Sequence, residues 1–177
     1  PKISDIIVRS ADDIHLFDTP LLLCRNYGLN FEQRVIKRLM DIVISLVILT
    51  ITSPIMLVTA IAIKAYDHGP AFFKQKRCTI NGKVFEILKF RSMIVDAEKP
   101  GMVIPAKDRD PRITPVGRFI RATRIDELPQ LINVLKGEMS IVGPRPLIFD
   151  EHEIHDLRMK FGVYKIRPGL TGLAQIR

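Results

Sequence analysis

The run Ile42–Ile63, IVISLVILTITSPIMLVTAIAI, holds 22 residues without a charge in a chain that is 26% charged. As a helix it would be about 33 Å long at ~1.5 Å per residue, close to the ~30 Å hydrocarbon core of a bilayer. Length alone points to a membrane-crossing helix, but two features argue otherwise. Ser53-Pro54 lies near the middle of the run. An internal proline removes a backbone donor and clashes with the preceding turn, which breaks or kinks a helix. Each arm then covers roughly 15–18 Å, about half a bilayer. The flanks are also basic on both sides, with Arg34, Lys37 and Arg38 before the run and Lys64, Lys74, Lys76 and Arg77 after it. A single crossing normally carries its cationic bias on one side. Two basic flanks favour a helix that enters one leaflet, bends at Ser53-Pro54 and returns. A kinked span and a buried helix of a soluble core are the alternatives. Backbone freed at Pro54 needs a partner in lipid, and the hydroxyl of Ser53 or Thr50 is well placed to supply it.

With 177 residues the chain can build one domain with a real core, and its formal net charge of +8 favours anionic partners. Beside a membrane segment, that charge points to lipid headgroups and phosphorylated substrates rather than nucleic acid. Lys37 and Arg38 would sit at the headgroups of the inner leaflet, each attracted by about 1 kcal/mol. Two cysteines, Cys24 and Cys78, stand without metal-ligand spacing, which fits a reducing compartment. His152 and His155 fall on one face of a predicted helix and read as solvated rather than as ligands.

Residues 1–30 read as an irregular N-terminal extension, 31–66 as a basic pre-helix and membrane helix, and 67–177 as a separate cytoplasmic domain. Within the last, Ala71–Arg77 and Lys83–Lys89 are strand-like, and Asn81-Gly82 between them is a hairpin signal. The polar stretch from Asp96 to Asp110, with Pro100-Gly101 and Pro105, reads as a loop. Thr114-Pro115 opens a helix as N-cap and first residue. Leu128, Leu131, Ile132 and Leu135 keep helical spacing up to a stop at Gly137. Thr123 and Asp126 fit a capping pattern at that helix's start. A further helix is predicted over Phe149–Phe161.

Asp126 and Glu127 would then lie at a helix N-terminus, where unpaired N–H groups and the dipole stabilise anions. Arg121 and Arg124 are close in sequence. Such carboxylates suit a nucleophile or a metal ligand, although ordinary helix capping explains the same pair. Lys89, Arg91, Arg121, Arg145 and others form a scatter of basic residues. Pro144 and Pro146 stiffen the backbone around Arg145, and a fixed guanidinium suits forked phosphate contact. A solvated arginine beside a turn is the plain alternative.

Taken in order, several segments resemble the monotopic polyprenyl-phosphate phosphoglycosyltransferases, or bacterial sugar transferases. They are Lys37-Arg38 with Asp41, the apolar run with Ser53-Pro54, Gly69-Pro70, Lys89-Phe90-Arg91-Ser92-Met93, Asp126-Glu127-Leu128-Pro129-Gln130, Gly143-Pro144-Arg145-Pro146 and Arg167-Pro168-Gly169-Leu170-Thr171-Gly172. The resemblance implies an α+β fold, mostly helical with a small β-hairpin, on a re-entrant membrane helix broken at Ser53-Pro54. It implies transfer of a sugar 1-phosphate from a UDP-sugar to polyprenyl (undecaprenyl) phosphate, with release of UMP, at the cytoplasmic face of a bacterial inner membrane. Asp126 would be the nucleophile and contact Mg²⁺, and Glu127 its partner. Arg145, Arg121, Pro144, Pro146, Lys89 and Arg91 would bind the donor or its phosphates. The family pattern departs here in having Arg124 two residues before Asp126, and in usually running further than Arg177. That last departure and residues 1–30 suggest a catalytic domain taken from a larger member. Oligomeric state is left open, a dimer included. The rival reading from another class is a membrane-anchored basic binding module with Asp126-Glu127 as a cap.

Overall fold

A computed structural model describes residues 11–16, 19–24, 30–95, 97, 110–149 and 152–172. The segment around Pro100, Gly101 and Pro105 and the end of the chain beyond Gly172 lie outside the described residues. Contacts divide the chain into two units, Pro1–Leu39 and Met40–Arg177. In the first, β1 (Ala11–Leu16) and β2 (Thr19–Cys24) pair antiparallel, Ala11 opposite Cys24 and Leu16 opposite Thr19. Residues 1–30, expected to be irregular, therefore contain a hairpin. Neither strand shows a clean alternation, and Asp12-Asp13 and Pro20 are poor strand residues, so the pairing left little trace in the pattern.

Helix α1 runs from Phe31 to Asp67 and is the one described helix long and apolar enough to cross a membrane. Its helical structure continues through Pro54, so the expected break does not end the helix. The carbonyl that Pro54 cannot serve is Thr50 O, and the Ser53 hydroxyl donates to it at 2.9 Å. Thr50 spends its own hydroxyl on Leu46 O at 2.8 Å. Beyond Leu39 the burial of α1 is inverted relative to a helix in water. Asp41, Ser45, Thr59 and Ile63 are buried, whereas Val43, Leu46, Val47, Ile51, Leu57, Val58 and Ile61 are exposed. The apolar run is thus not the core helix of a soluble domain.

The rest of the second unit is built on a hairpin. Strands β3 (Phe72–Cys78) and β4 (Val84–Phe90) pair antiparallel, each one residue later than the sequence pattern suggested. Asn81 (φ 58°) and Gly82 (φ 70°) both take left-handed backbone at the tip, and Lys83 N–H closes the turn on Ile80 O at 3.3 Å. Asn-Gly is the pair that such a turn favours. Helix α2 (Pro115–Ala122) starts as expected, with the Thr114 hydroxyl accepting from Gly117 N–H at 2.8 Å. Helix α3 (Gln130–Lys136) ends at Gly137, φ 87°. Helix α4 covers His152–Lys160, and short strands β5 (Ser140–Val142) and β6 (Gly169–Thr171) pair in parallel.

Two apolar clusters hold these elements. Phe85 and Ile87 of β4 meet Val134, Met139 and Ile141. Phe90 meets Ile63 and Ile120, with Met56, Ala60, Val116 and Ile125 around them. Full burial of side chains this size stabilises by ~1.5–3 kcal/mol each. The second cluster fastens the far half of α1 to the hairpin and to α2.

Candidate active site

Four elements converge at the end of β4. The strand carries Lys89, α2 carries Arg121, a 3₁₀ turn Ile125–Glu127 carries Asp126 and Glu127, and the loop after β5 carries Arg145. The expected capping of a helix by Thr123 and Asp126 does not form. Thr123 ends α2 instead, its hydroxyl donating back to Phe119 O at 2.9 Å. Arg124 then takes left-handed backbone, φ 59°, which reverses the chain at a cost of about 1–2 kcal/mol for a residue with a Cβ. Asp126 and Glu127 consequently precede α3 rather than open it.

Burial is the first influence on Asp126, and it pushes its carboxyl above the ordinary value of 3.8. Lys89 opposes this most, Glu127 adds to it, and Arg121 and Arg124 oppose it. The expectation that its surroundings simply favour the ionised form is corrected by this balance. Desolvation disfavours the charge, and the nearby cations offset only part of that cost. Lys89 Nζ donates to Glu127 Oε1 at 3.0 Å, with both side chains mostly buried. Two polar atoms here are buried without a hydrogen-bond partner, Asp126 Oδ1 and Arg121 Nη1. The first is an acceptor that would suit a cation, and the second a donor that would suit an anion.

Lys89, Glu127, Arg145 and Pro146 line one open cleft, together with Arg77, Gln130 and the backbone at Gly169-Leu170. The Pro144–Pro146 turn is held at three successive carbonyls. Pro144 O accepts from Gly169 N–H at 2.9 Å, Arg145 O from Arg158 Nη1 at 2.6 Å, and Pro146 O from Arg77 Nη1 at 3.1 Å. Gly143 and Gly169 cross so closely that a Cβ on Gly169 would lie 2.1 Å from Gly143 N. Arg91 sits elsewhere. Its buried guanidinium pairs with Asp67 at 3.1 Å where α1 ends, under Gly69, on which a Cβ would lie 2.0 Å from Arg91 Nη1. Lys37 and Arg38 lie on α1 within the first unit, and Ser53 and Pro54 within its apolar run.

Sequence reasoning missed Arg77 and Gln130. In the sequence Arg77 reads only as a basic flank of the membrane run. Its shared strand face with Gln75, whose Oε1 accepts from Arg77 Nη2 at 2.6 Å, was the available signal. Gln130 closes the Asp-Glu-Leu-Pro-Gln segment and is almost fully buried at the cleft. Among the described residues no group of three or more His, Cys, Asp or Glu could hold a metal. The donor set fits Mg²⁺ only as the ion is held in phosphate chemistry, by one or two carboxylates with the rest of its shell from phosphate and water. Asp126 Oδ1 is the oxygen free to do so.

A family model described as bacterial sugar transferase matches residues 32–177. A UDP-glucose:undecaprenyl-phosphate glucose-1-phosphate transferase of Klebsiella pneumoniae is 46% identical over 92% of this chain and 34% of its own length. An undecaprenyl-phosphate galactose phosphotransferase of Salmonella typhimurium is 38% identical over 99% of this chain and 40% of its own. A putative undecaprenyl-phosphate N-acetylgalactosaminyl 1-phosphate transferase of Bacillus subtilis is 54% identical over 63% of this chain and 62% of its own. The chain thus spans about a third to three-fifths of the length of these relatives. A match that takes in α1, the hairpin, the Asp126-Glu127 turn and the Arg145 loop leaves one assignment: the chain belongs to the bacterial sugar transferase family.

Proposed function

We propose that the chain transfers a sugar 1-phosphate from a UDP-sugar to a polyprenyl phosphate and releases UMP. The observation that carries this reading is the pair of unmet needs around Asp126, a buried carboxylate oxygen on Asp126 and a buried guanidinium nitrogen on Arg121; neither residue lines the cleft itself, whose Lys89 and Glu127 act on the Asp126 charge. A phosphoryl group satisfies the second and, with a divalent ion, the first. The names of the relatives supply the donor and acceptor classes, and they differ in the sugar. The donor is accordingly proposed only as a UDP-sugar.

The proposed chemistry has two displacements at one phosphorus. An Asp126 carboxylate oxygen attacks the β-phosphorus of the UDP-sugar, the bond to the bridging oxygen breaks, and UMP leaves with that bond's electrons. An oxygen of polyprenyl phosphate then attacks the same phosphorus, and the aspartyl oxygen leaves as carboxylate. Splitting one transfer into two such steps is the use of a covalent nucleophile. Glu127, held by Lys89, assists proton removal from the acceptor or orients the metal. Arg121 and Arg145 take the phosphate oxygens, on which charge spreads in the transition state. Mg²⁺ at Asp126 would neutralise phosphate charge when bound.

The same reading extends to the membrane. The exposed aliphatic face of α1 suits lipid, and basic residues on both flanks of its run suit a helix that returns to the leaflet it entered. The catalytic unit would then lie on the cytoplasmic face of a bacterial inner membrane and begin a surface glycan. The test is release of UMP from a panel of UDP-hexoses and UDP-N-acetylhexosamines in the presence of polyprenyl phosphate and Mg²⁺. UMP release that depends on the lipid phosphate supports the reading. No release from any donor leaves the basic membrane-anchored binding module.

A further inference from the structure

Asp41 is the one buried carboxylate on the outward-facing apolar helix, one turn beyond Lys37 and Arg38. An ionisable side chain at the edge of a membrane segment is costly without partners, and its partner names its purpose. Both of its oxygens are engaged by the catalytic unit. Oδ2 accepts from the Ser140 hydroxyl at 2.9 Å, and Oδ1 accepts from Ile141 N–H at 3.1 Å. Ser140 and Ile141 open β5, whose next residues lead directly into the Pro144–Pro146 turn. Ile141 also packs against the apolar cluster that contains Ile87, a residue that lines the cleft. Asp41 itself is not among the cleft's lining residues.

We infer that Asp41 is a positioning residue whose two hydrogen bonds register the membrane helix against β5, so that the cleft is held at the height of a phosphate carried by lipid. The inference rests on the reaction proposed above. Neither of these two bonds requires a carboxylate. An asparagine keeps an oxygen for Ile141 N–H and can donate to Ser140 Oγ, whose own proton then serves Val142 O, already 3.1 Å away. A leucine keeps the bulk and the affinity for lipid but neither bond.

The experiment compares Asp41→Asn and Asp41→Leu with the parent chain in membranes. UMP release is read with two acceptors, undecaprenyl phosphate in the bilayer and a short, water-soluble prenyl phosphate. With the bilayer acceptor, Asp41→Leu should lose roughly tenfold or more, since misplacements of about 1 Å are that costly. It should turn over the soluble acceptor like the parent, and Asp41→Asn should match the parent on both. Hydrogen exchange at the Ile141 amide, read without substrate, should speed up in Asp41→Leu alone. Equal loss of Asp41→Leu on both acceptors, no loss on either, an unchanged Ile141 amide, or an Asp41→Asn as impaired as Asp41→Leu would each overturn the inference. A parent chain that releases no UMP from any donor fails the proposed reaction instead, and the exchange measurement still reads the clamp.

Discussion

Asn133 offers the sharpest link between packing and site. It is fully buried on α3 and acts as a substitute strand along the open edge of β4. Its Oδ1 accepts from Leu88 N–H at 3.0 Å, and its Nδ2 donates to Glu86 O at 2.8 Å and to Glu138 Oε2 at 2.7 Å. The next residue after Leu88 is Lys89, which grips Glu127. Asn133→Ala leaves a strand N–H and a strand C=O without their partner and a small cavity behind. Each partly buried group left unpaired costs about 1–2 kcal/mol, so the loss should be about 2–4 kcal/mol, a large share of the ~5–15 kcal/mol that domains possess. Asn133→Asp keeps the shape but turns a donor into an acceptor facing Glu86 O and the Glu138 carboxylate, and should be at least as damaging. Denaturant unfolding of the detergent-solubilised chain, followed by far-UV circular dichroism, measures the loss. Stability within ~0.5 kcal/mol of the parent for both variants would refute this account of how β4 is held.

Several other outcomes follow. Asp126→Asn should abolish UMP release while leaving the melting temperature at neutral pH equal to the parent's or higher. The raised folded value means that folding takes up protons above 3.8, so the parent loses stability as pH rises through that window and the amide escapes the cost. For the same reason the parent's turnover should fall on acidification through a value above 3.8, because the carboxylate is the proposed nucleophile. Gly169→Ala should separate β5 from β6 and cut turnover sharply, since the new Cβ would overlap Gly143 N; turnover equal to the parent's would show that the crossing is not tight. Arg145→Lys should weaken use of the UDP-sugar more than use of the lipid phosphate, because lysine cannot make a forked contact; the KM values for each substrate decide it. Pro54→Leu restores the missing donor to Thr50 O and should straighten α1. Cysteine labelling at positions 36 and 66 in intact cells would detect an end that has moved across the membrane.

What could be read directly from the sequence was local. The Thr114-Pro115 start, the Asn81-Gly82 tip and the Gly137 stop each act through neighbouring backbone, and each is present in the structure. The Ser53 hydroxyl as the partner of backbone freed at Pro54 was legible for the same reason. What escaped was set by distant partners. The parallel pairing of β5 with β6 joins two three-residue strands too short to show an alternating pattern of their own. Asp126 was assigned a helix terminus because Thr123 and Asp126 have capping spacing, yet left-handed backbone at Arg124 inserts a 3₁₀ turn before α3. Arg91 and Lys89 lie two residues apart on one basic segment. Strand geometry and the end of α1 send one to Asp67 and the other to Glu127, a division that no local pattern records.

In the proposed mechanism Asp126 carries the sugar phosphate between donor and lipid. Intact-protein mass spectrometry tests it after incubation with UDP-sugar and Mg²⁺ in the absence of acceptor. The account predicts a mass increase of one hexose phosphate on the parent chain, lost again when polyprenyl phosphate is added, and no increase on Asp126→Asn. The same adduct on Asp126→Asn, or parent-like turnover by that variant, would contradict it and return Asp126 to a structural place in the turn.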